Sequence, residues 1–190
     1  MLAATDFLSD KSERVAPQLL GCIVERSWGD TIIRARIIET ESYDQSDVAS
    51  HSYNGPTPRT QVMFGAPGYA YVYFTYGMHY CFNIVCGESG TGSAVLIRAV
   101  EIIKGVGVAQ RNRTAKSEIE LTNGPAKLCQ ALQIDTAFNG HDLKDAPLRL
   151  IIQPPLDESK ITTTTRIGIS KSQGAPLRFY ETNNPFVSKR

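Results

Sequence analysis

The pattern of apolar and polar positions predicts a chain built largely of strands. In the stretch YVYFTYGMHYCFN, residues 71–83, it reads strand, turn, strand, with Thr75-Tyr76-Gly77-Met78 at the turn. Strand side chains alternate faces. Tyr69, Tyr71 and Tyr73 therefore share one face, and Ala70, Val72 and Phe74 take the other. After the turn, Tyr80 and Phe82 alternate with His79 and Cys81. Gly77 can supply the positive φ that a tight hairpin turn requires. Most of these aromatics suit a buried hairpin. Tyr76 does not: a tip residue points away from the sheet, so a tyrosine there calls for a packing partner outside the chain.

The same reading extends along the chain. Ser9 or Asp10 is placed to cap a helix ending near Leu20, with Gly21 as its stop and Pro17 as an internal conflict. Strands follow at 22–28 and 31–43, joined by a turn at Gly29-Asp30. Residues 44–68 are rich in Ser, Asp, Asn, Gly and Pro and form a long irregular loop, a kind usually functional or disordered. A further strand covers 93–101, and 102–118 runs from apolar to basic and flexible. Asn123-Gly124-Pro125 opens a helix to about residue 132, with proline near its first position. Strands are expected at 148–153 and 161–169, and an irregular but anchored tail after them. No internal repeat is found. The sum is α+β, a mainly antiparallel sheet with a few helices.

Composition narrows this little. A chain of 190 residues suits one domain, 1–190, with a real core. No apolar run approaches the ~20 residues of a membrane span, and the first residues lack a signal-peptide pattern. The four cysteines have no CxxC spacing, so neither zinc nor a disulfide framework is indicated. A net charge of +1 means that a nucleic-acid partner would need cations clustered on one face. Arg59, Lys104, Arg111, Arg113, Lys116, Lys171 and Arg178 are the candidates.

The chemistry concentrates in two strands. In RARIIETESY, residues 34–43, alternation puts Glu39, Glu41 and Tyr43 on the face of Ala35 and Ile37. A carboxylate on a core face must be paired or line a cavity. In SAVLIRAVE, residues 93–101, Arg98 shares a face with Ala94, Leu96 and Val100. A buried arginine wants a carboxylate, which its planar fork fits, so Glu41 or Glu39 is its expected partner. That pair is either structural or holds a carboxylate in a cleft to activate water. His51 sits in the polar loop, and neither it nor His79 or His141 has the spacing of a metal site.

The order ETESY, ASHS, TPR, YVYFTYGMHYCFN, LIRAVE, NGPAKLCQAL, RIGIS and PLRFY resembles the alkyladenine (3-methylpurine) DNA glycosylase family, over about residues 19–187. The resemblance implies a curved antiparallel sheet with flanking helices and a protruding β-hairpin. It implies a monofunctional enzyme of base excision repair that flips an alkylated or deaminated purine out of double-stranded DNA and hydrolyses its N-glycosidic bond. Glu41 would activate the water beside Arg98. Tyr43, His51 and Tyr73 would sandwich the base, and Asn83 would exclude the 2-amino group of normal guanine. Tyr76 would fill the gap left by the flipped nucleotide, with Arg59, Met78 and His79 also touching DNA. No cofactor, metal or membrane is expected, and the enzyme would act as a monomer in the cytoplasm, on nucleoid DNA if the source is bacterial. None of the residues given these roles is a lysine able to form a Schiff base, so no strand-cleaving lyase activity is expected.

One departure stands out: the family usually has Asn after the Arg of TPR, where this chain has Thr60. That bears on phosphate contacts rather than on catalysis. A non-catalytic nucleic-acid-binding module, stacking single-stranded bases on sheet aromatics, is the alternative. It leaves Glu41 and Arg98 unexplained.

Overall fold

The computed structural model describes residues 6–188. Among them, eight strands form one sheet: β1 (Ile23–Trp28), β2 (Thr31–Tyr43), β3 (Ala70–Thr75), β4 (His79–Val85), β5 (Ala94–Lys104), β6 (Leu148–Ile151), β7 (Ile161–Thr164) and β8 (Arg178–Glu181). All pairs are antiparallel, in the order β3-β4-β5-β2-β1-β6. The long β2 forks: its first half pairs with β1, its second with β8, and β8 carries β7.

The helices α1 (Ser12–Gln18), α2 (Val106–Asn112), α3 (Glu118–Thr122) and α4 (Pro125–Leu132) complete the fold. Val15, Ala16 and Leu19 beside α1, and Leu128, Ala131 and Leu132 of α4, close one core with Ile33, Ile37, Val72, Phe82, Ile84, Val95 and Ile97 of the sheet. Parity holds in the hairpin. Ala70 and Val72 enter that core, while Tyr71 and Tyr73 join a second cluster around Met63, Val85 and Ala94 on the other face.

Parity fails in β2. The register slips between Ile37 and Glu39, and slips back between Glu39 and Thr40, where β5 passes from Ala99 to Ile97. Bulges bend a strand and re-aim its side chains. After the slip, Thr40 donates to the Ala16 carbonyl (2.9 Å) and Ser42 to the Ser12 hydroxyl (2.8 Å), both beside α1. Glu39, Glu41 and Tyr43 therefore leave the face of Ala35 and Ile37 for the face away from the helices. Arg98 keeps company with Leu96, but Val100 falls back into the core.

Other differences have local causes. Lys11, not Ser9 or Asp10, is the N-cap of α1, and its side chain makes no capping bond. Residues 102–118 contain the end of β5, all of α2 and the first residue of α3. The strand expected at 161–169 stops at Thr164, because the Ile167 N–H bonds to Glu41 instead of a ladder partner. The tail contains β8, whose Arg178 is buried against Glu39, so it cannot join a phosphate-facing patch.

The 44–68 segment is ordered by specific bonds to the β4–β5 connection. Ser52 Oγ donates to the Gly92 carbonyl (2.7 Å), the Gly92 N–H to Gln45 Oε1 (3.1 Å), and the Gly90 N–H to the Phe64 carbonyl (2.9 Å). A Cβ on Gly92 would collide with Ser52 and come within 2.6 Å of Phe64 Cζ. Gly92→Ala should thus cost about 1–3 kcal/mol of overpacking, read as a lower denaturant midpoint. Thr60 is buried and bonds to the Thr57 N–H (2.9 Å) and hydroxyl (3.0 Å) within its own loop.

Candidate active site

On the face opposite the helix-backed core the sheet encloses a pocket of about 340 Å³, a size that takes a small ligand. Pro125 at the start of α4 also lines it. Its walls include Tyr43 from β2, Tyr71 and Tyr73 from β3, Cys81 and Asn83 from β4, and Leu96 and Arg98 from β5. The 44–68 loop adds His51 and Met63, and the turn after β7 adds Ile167 and Gly168. Tyr76 stands at the rim. The sequence candidates Tyr43, His51, Tyr73, Tyr76, Asn83 and Arg98 thus meet around one cavity.

Glu41 lies one layer behind that lining and is fully buried. Its Oε1 accepts from the Ile167 N–H (2.8 Å) and faces Arg98 Nη1 (3.3 Å), and its Oε2 accepts from the Tyr43 hydroxyl (2.8 Å). All three partners line the pocket. Arg98 also pairs with Glu39, at 3.4 Å. Both expected partners are therefore real, with different surroundings. Glu39 is held by Arg178 Nε (2.6 Å) and by the Ser188 N–H and hydroxyl (2.8 and 3.0 Å), which makes it a brace for Arg98.

The aromatic walls are tightly keyed. Burial, then the Glu41 charge and hydrogen bond, push the Tyr43 hydroxyl well above its ordinary range, so it stays a donor. Burial does the same for Tyr73. The Asn83 side-chain amide donates to the Tyr71 carbonyl (3.0 Å). His51 Nδ1 meets the Tyr71 hydroxyl at 3.0 Å, and its ring stands edge-on to Tyr73 at 4.6 Å. Crowding by these rings, then the Arg59 charge, lowers the His51 pKa. Unfolded, His51 binds a proton below about pH 6.5; folded, it binds one only at lower pH. Its contribution to stability is therefore full above that value and is lost as pH falls through the folded pKa. A histidine NMR titration should place the His51 midpoint below 6.5.

The hairpin tip is built as a two-residue turn. Tyr76 (φ 52°) and Gly77 (φ 67°) both have positive φ, and the Met78 N–H bonds to the Thr75 carbonyl at 3.3 Å. That is the type I′ pattern, which matches the twist of paired strands. Tyr76 is 82% exposed and Met78 66%. His79 closes the turn opposite Thr75. Arg59 is exposed, with its guanidinium carbon 5.1 Å from the Tyr73 ring centroid.

Besides Ser188, two participants were missed by the sequence reading. Ile167 brings its backbone N–H to Glu41, a contact that carries no side-chain signature. Arg166 is fully buried and stacks on Tyr43, 4.6 Å from the ring centroid, while bonding to Asp47 and to the Ser42 carbonyl. Its position in an expected strand gave no hint of this.

The curled antiparallel sheet backed by helices thus holds a buried carboxylate just behind a tyrosine-walled pocket, paired with the pocket's arginine. A model of the methylpurine-DNA glycosylase family matches residues 6–185. A protein of Carboxydothermus hydrogenoformans is 49% identical, covering 100% of each chain, and carries the name "Putative 3-methyladenine DNA glycosylase". Proteins with the same name from Francisella tularensis (44% identical, 95% of each chain) and Methanoculleus marisnigri (44%, 93% of each) are also similar. The chain belongs to the methylpurine-DNA glycosylase family.

Proposed function

We propose that this chain is a monofunctional glycosylase of base excision repair that takes alkylated and deaminated purines from double-stranded DNA, with 3-methyladenine, 7-methylguanine, hypoxanthine and ethenoadenine as the substrate class. The observation that carries the reading is Glu41, fully buried yet held by two hydrogen-bond donors and an arginine that themselves line the pocket. A carboxylate offers about four acceptor sites. Ile167 and Tyr43 take two of them by hydrogen bonds and Arg98 pairs with the charge, which leaves room for a water at the pocket floor.

In this reading Tyr76 enters the minor groove and occupies the gap left by the flipped nucleotide, which offsets part of the unstacking cost. The base stacks among Tyr43, His51 and Tyr73, and Asn83 rejects the 2-amino group of guanine. The bond from C1′ to the purine nitrogen breaks, and its electron pair leaves with the base. Glu41 stabilises the cationic sugar and takes the proton of the water that adds to C1′. A cationic purine leaves as a neutral base. A neutral lesion must gain a proton on the purine as it leaves. Arg59, Met78 and His79 contact the DNA around the tip. The pocket lining includes no lysine, which supports hydrolysis without a Schiff base. The reading requires neither metal nor cofactor, and one copy of the chain suffices.

The test is single-turnover excision on duplexes carrying hypoxanthine, ethenoadenine or no lesion, and on methylated DNA, followed by alkali. Base release with strand breakage only after alkali is the expected result. Binding without release from any of these would favour the non-catalytic binding module. Strand breakage before alkali would contradict the monofunctional assignment.

A further inference from the structure

We propose that Arg166 sets the balance between neutral and positively charged purines in the pocket, acting through the ring of Tyr43. This rests on the excision reading above. The Arg166 side chain is fully buried, whereas Tyr43 lines the pocket and Arg166 does not. The guanidinium therefore covers Tyr43 from the side away from the base, 4.6 Å from the ring centroid.

Its position is fixed from both sides in sequence. Nη1 donates to the Ser42 carbonyl (2.9 Å) and to the Asp47 carboxylate. Ile167, the next residue, is tied to Glu41. Nε and Nη2 have no hydrogen-bond partner among the described residues, so the ring and Asp47 are what hold the charge in place. Burial pushes the Asp47 carboxyl up, but the bonds from Arg166 and the Ala49 N–H outweigh it, and the carboxyl ends below its ordinary range. The Asp47 carboxylate is ionised at neutral pH.

An aromatic face is negative and attracts cations. With a guanidinium already on one face, a cationic purine stacked on the other meets a depleted ring and a like charge behind it. In a site shielded from water such charges interact far more strongly than in bulk solvent. A neutral purine keeps its stacking and meets no such repulsion. Asp47 partly offsets the field, so removing its charge strengthens the effect and removing that of Arg166 abolishes it. Arg59 over Tyr73 acts in the same sense, but it is exposed and therefore screened.

The experiment measures single-turnover release of hypoxanthine and of cationic 7-methylguanine from matched duplexes, and takes their ratio within each preparation, so that a partly folded sample cancels. Arg166→Met should lower the hypoxanthine-to-7-methylguanine ratio by about three-fold or more, and Asp47→Asn should raise it. Arg166→Lys, which keeps the charge, should stay nearer wild type than Arg166→Met. An unchanged ratio in Arg166→Met, or a shift in the same direction in Arg166→Met and Asp47→Asn, would reduce Arg166 to a brace for Tyr43 and overturn the inference. If wild type releases hypoxanthine alone, new release of 7-methylguanine by Arg166→Met is the supporting result and its absence the overturning one. Release of 7-methylguanine alone by wild type contradicts the inference. Release of neither, with no release of ethenoadenine or from methylated DNA, sinks the excision reading itself, while release of those alone contradicts the inference.

Discussion

Glu41→Gln should slow base release by about 10²–10⁴-fold, the usual range for losing a positioned general base, while duplex binding survives. The amide keeps the shape of the carboxylate. Its oxygen can still accept from the Ile167 N–H, and the Tyr43 hydroxyl, 2.8 Å away in the native site, can turn to accept from the new NH₂. Arg98 keeps Glu39 as a charged neighbour at 3.4 Å, so it is not stranded. The loss should therefore fall on the chemical step, and a gel-shift assay with the variant should match wild type. Glu41→Ala is the poorer probe, because it empties a buried site and can unfold the strand. Excision by Glu41→Gln at the wild-type rate would mean that another group activates the water.

Tyr76→Asn should move stability and activity in opposite directions. A non-glycine residue in the left-handed region costs roughly 1–2 kcal/mol, a cost that asparagine largely escapes. Asn-Gly is also the preferred type I′ pair. Since Tyr76 is 82% exposed, its removal forfeits little packing, and the midpoint should rise by about 2–4 °C. Excision from duplex DNA should fall about ten-fold or more, since the inserted ring would otherwise offset part of the few kcal/mol of unstacking. A lesion in single-stranded DNA, already unpaired, should be released by the variant nearly as by wild type. An equal loss on both substrates would argue that Tyr76 shapes the pocket instead of supporting extrusion. The strain at the tip is thus an expected signature of function.

Local pattern reached far into this structure because most of its signals are local. Gly29-Asp30 and the alternation beside it located β1 and β2 almost to the residue. The Asn-Gly-Pro sequence placed the start of α4 at Pro125. The pairing of Arg98 with Glu39 and Glu41 followed from the cost of burying a charge, which holds whatever the register. The face of those carboxylates did not follow. It depends on two opposed slips, at Ile38 and at Arg98, and nothing in either residue announces a bulge. Arg166, Ile167 and Ser188 join the site from more than a hundred residues away in the chain. Such contacts are set by how the sheet curls, not by spacing along it. Thr60 shows the reverse case: a departure from the family pattern turned out to serve its own loop, bonding Thr57.

The brace on Glu39 also has a bearing on how the protein folds. The carboxylate that steadies Arg98 is held by Arg178 and Ser188, so the site's arginine depends on residues 139 and 149 positions along the chain from Glu39. Most of the helix-backed core is drawn from earlier segments, whereas Arg98 lacks its brace until β8 and Ser188 pair with Glu39. Pairings so distant in sequence form slowly. A chain clipped before β8 should therefore keep much of its core while losing the support of its arginine.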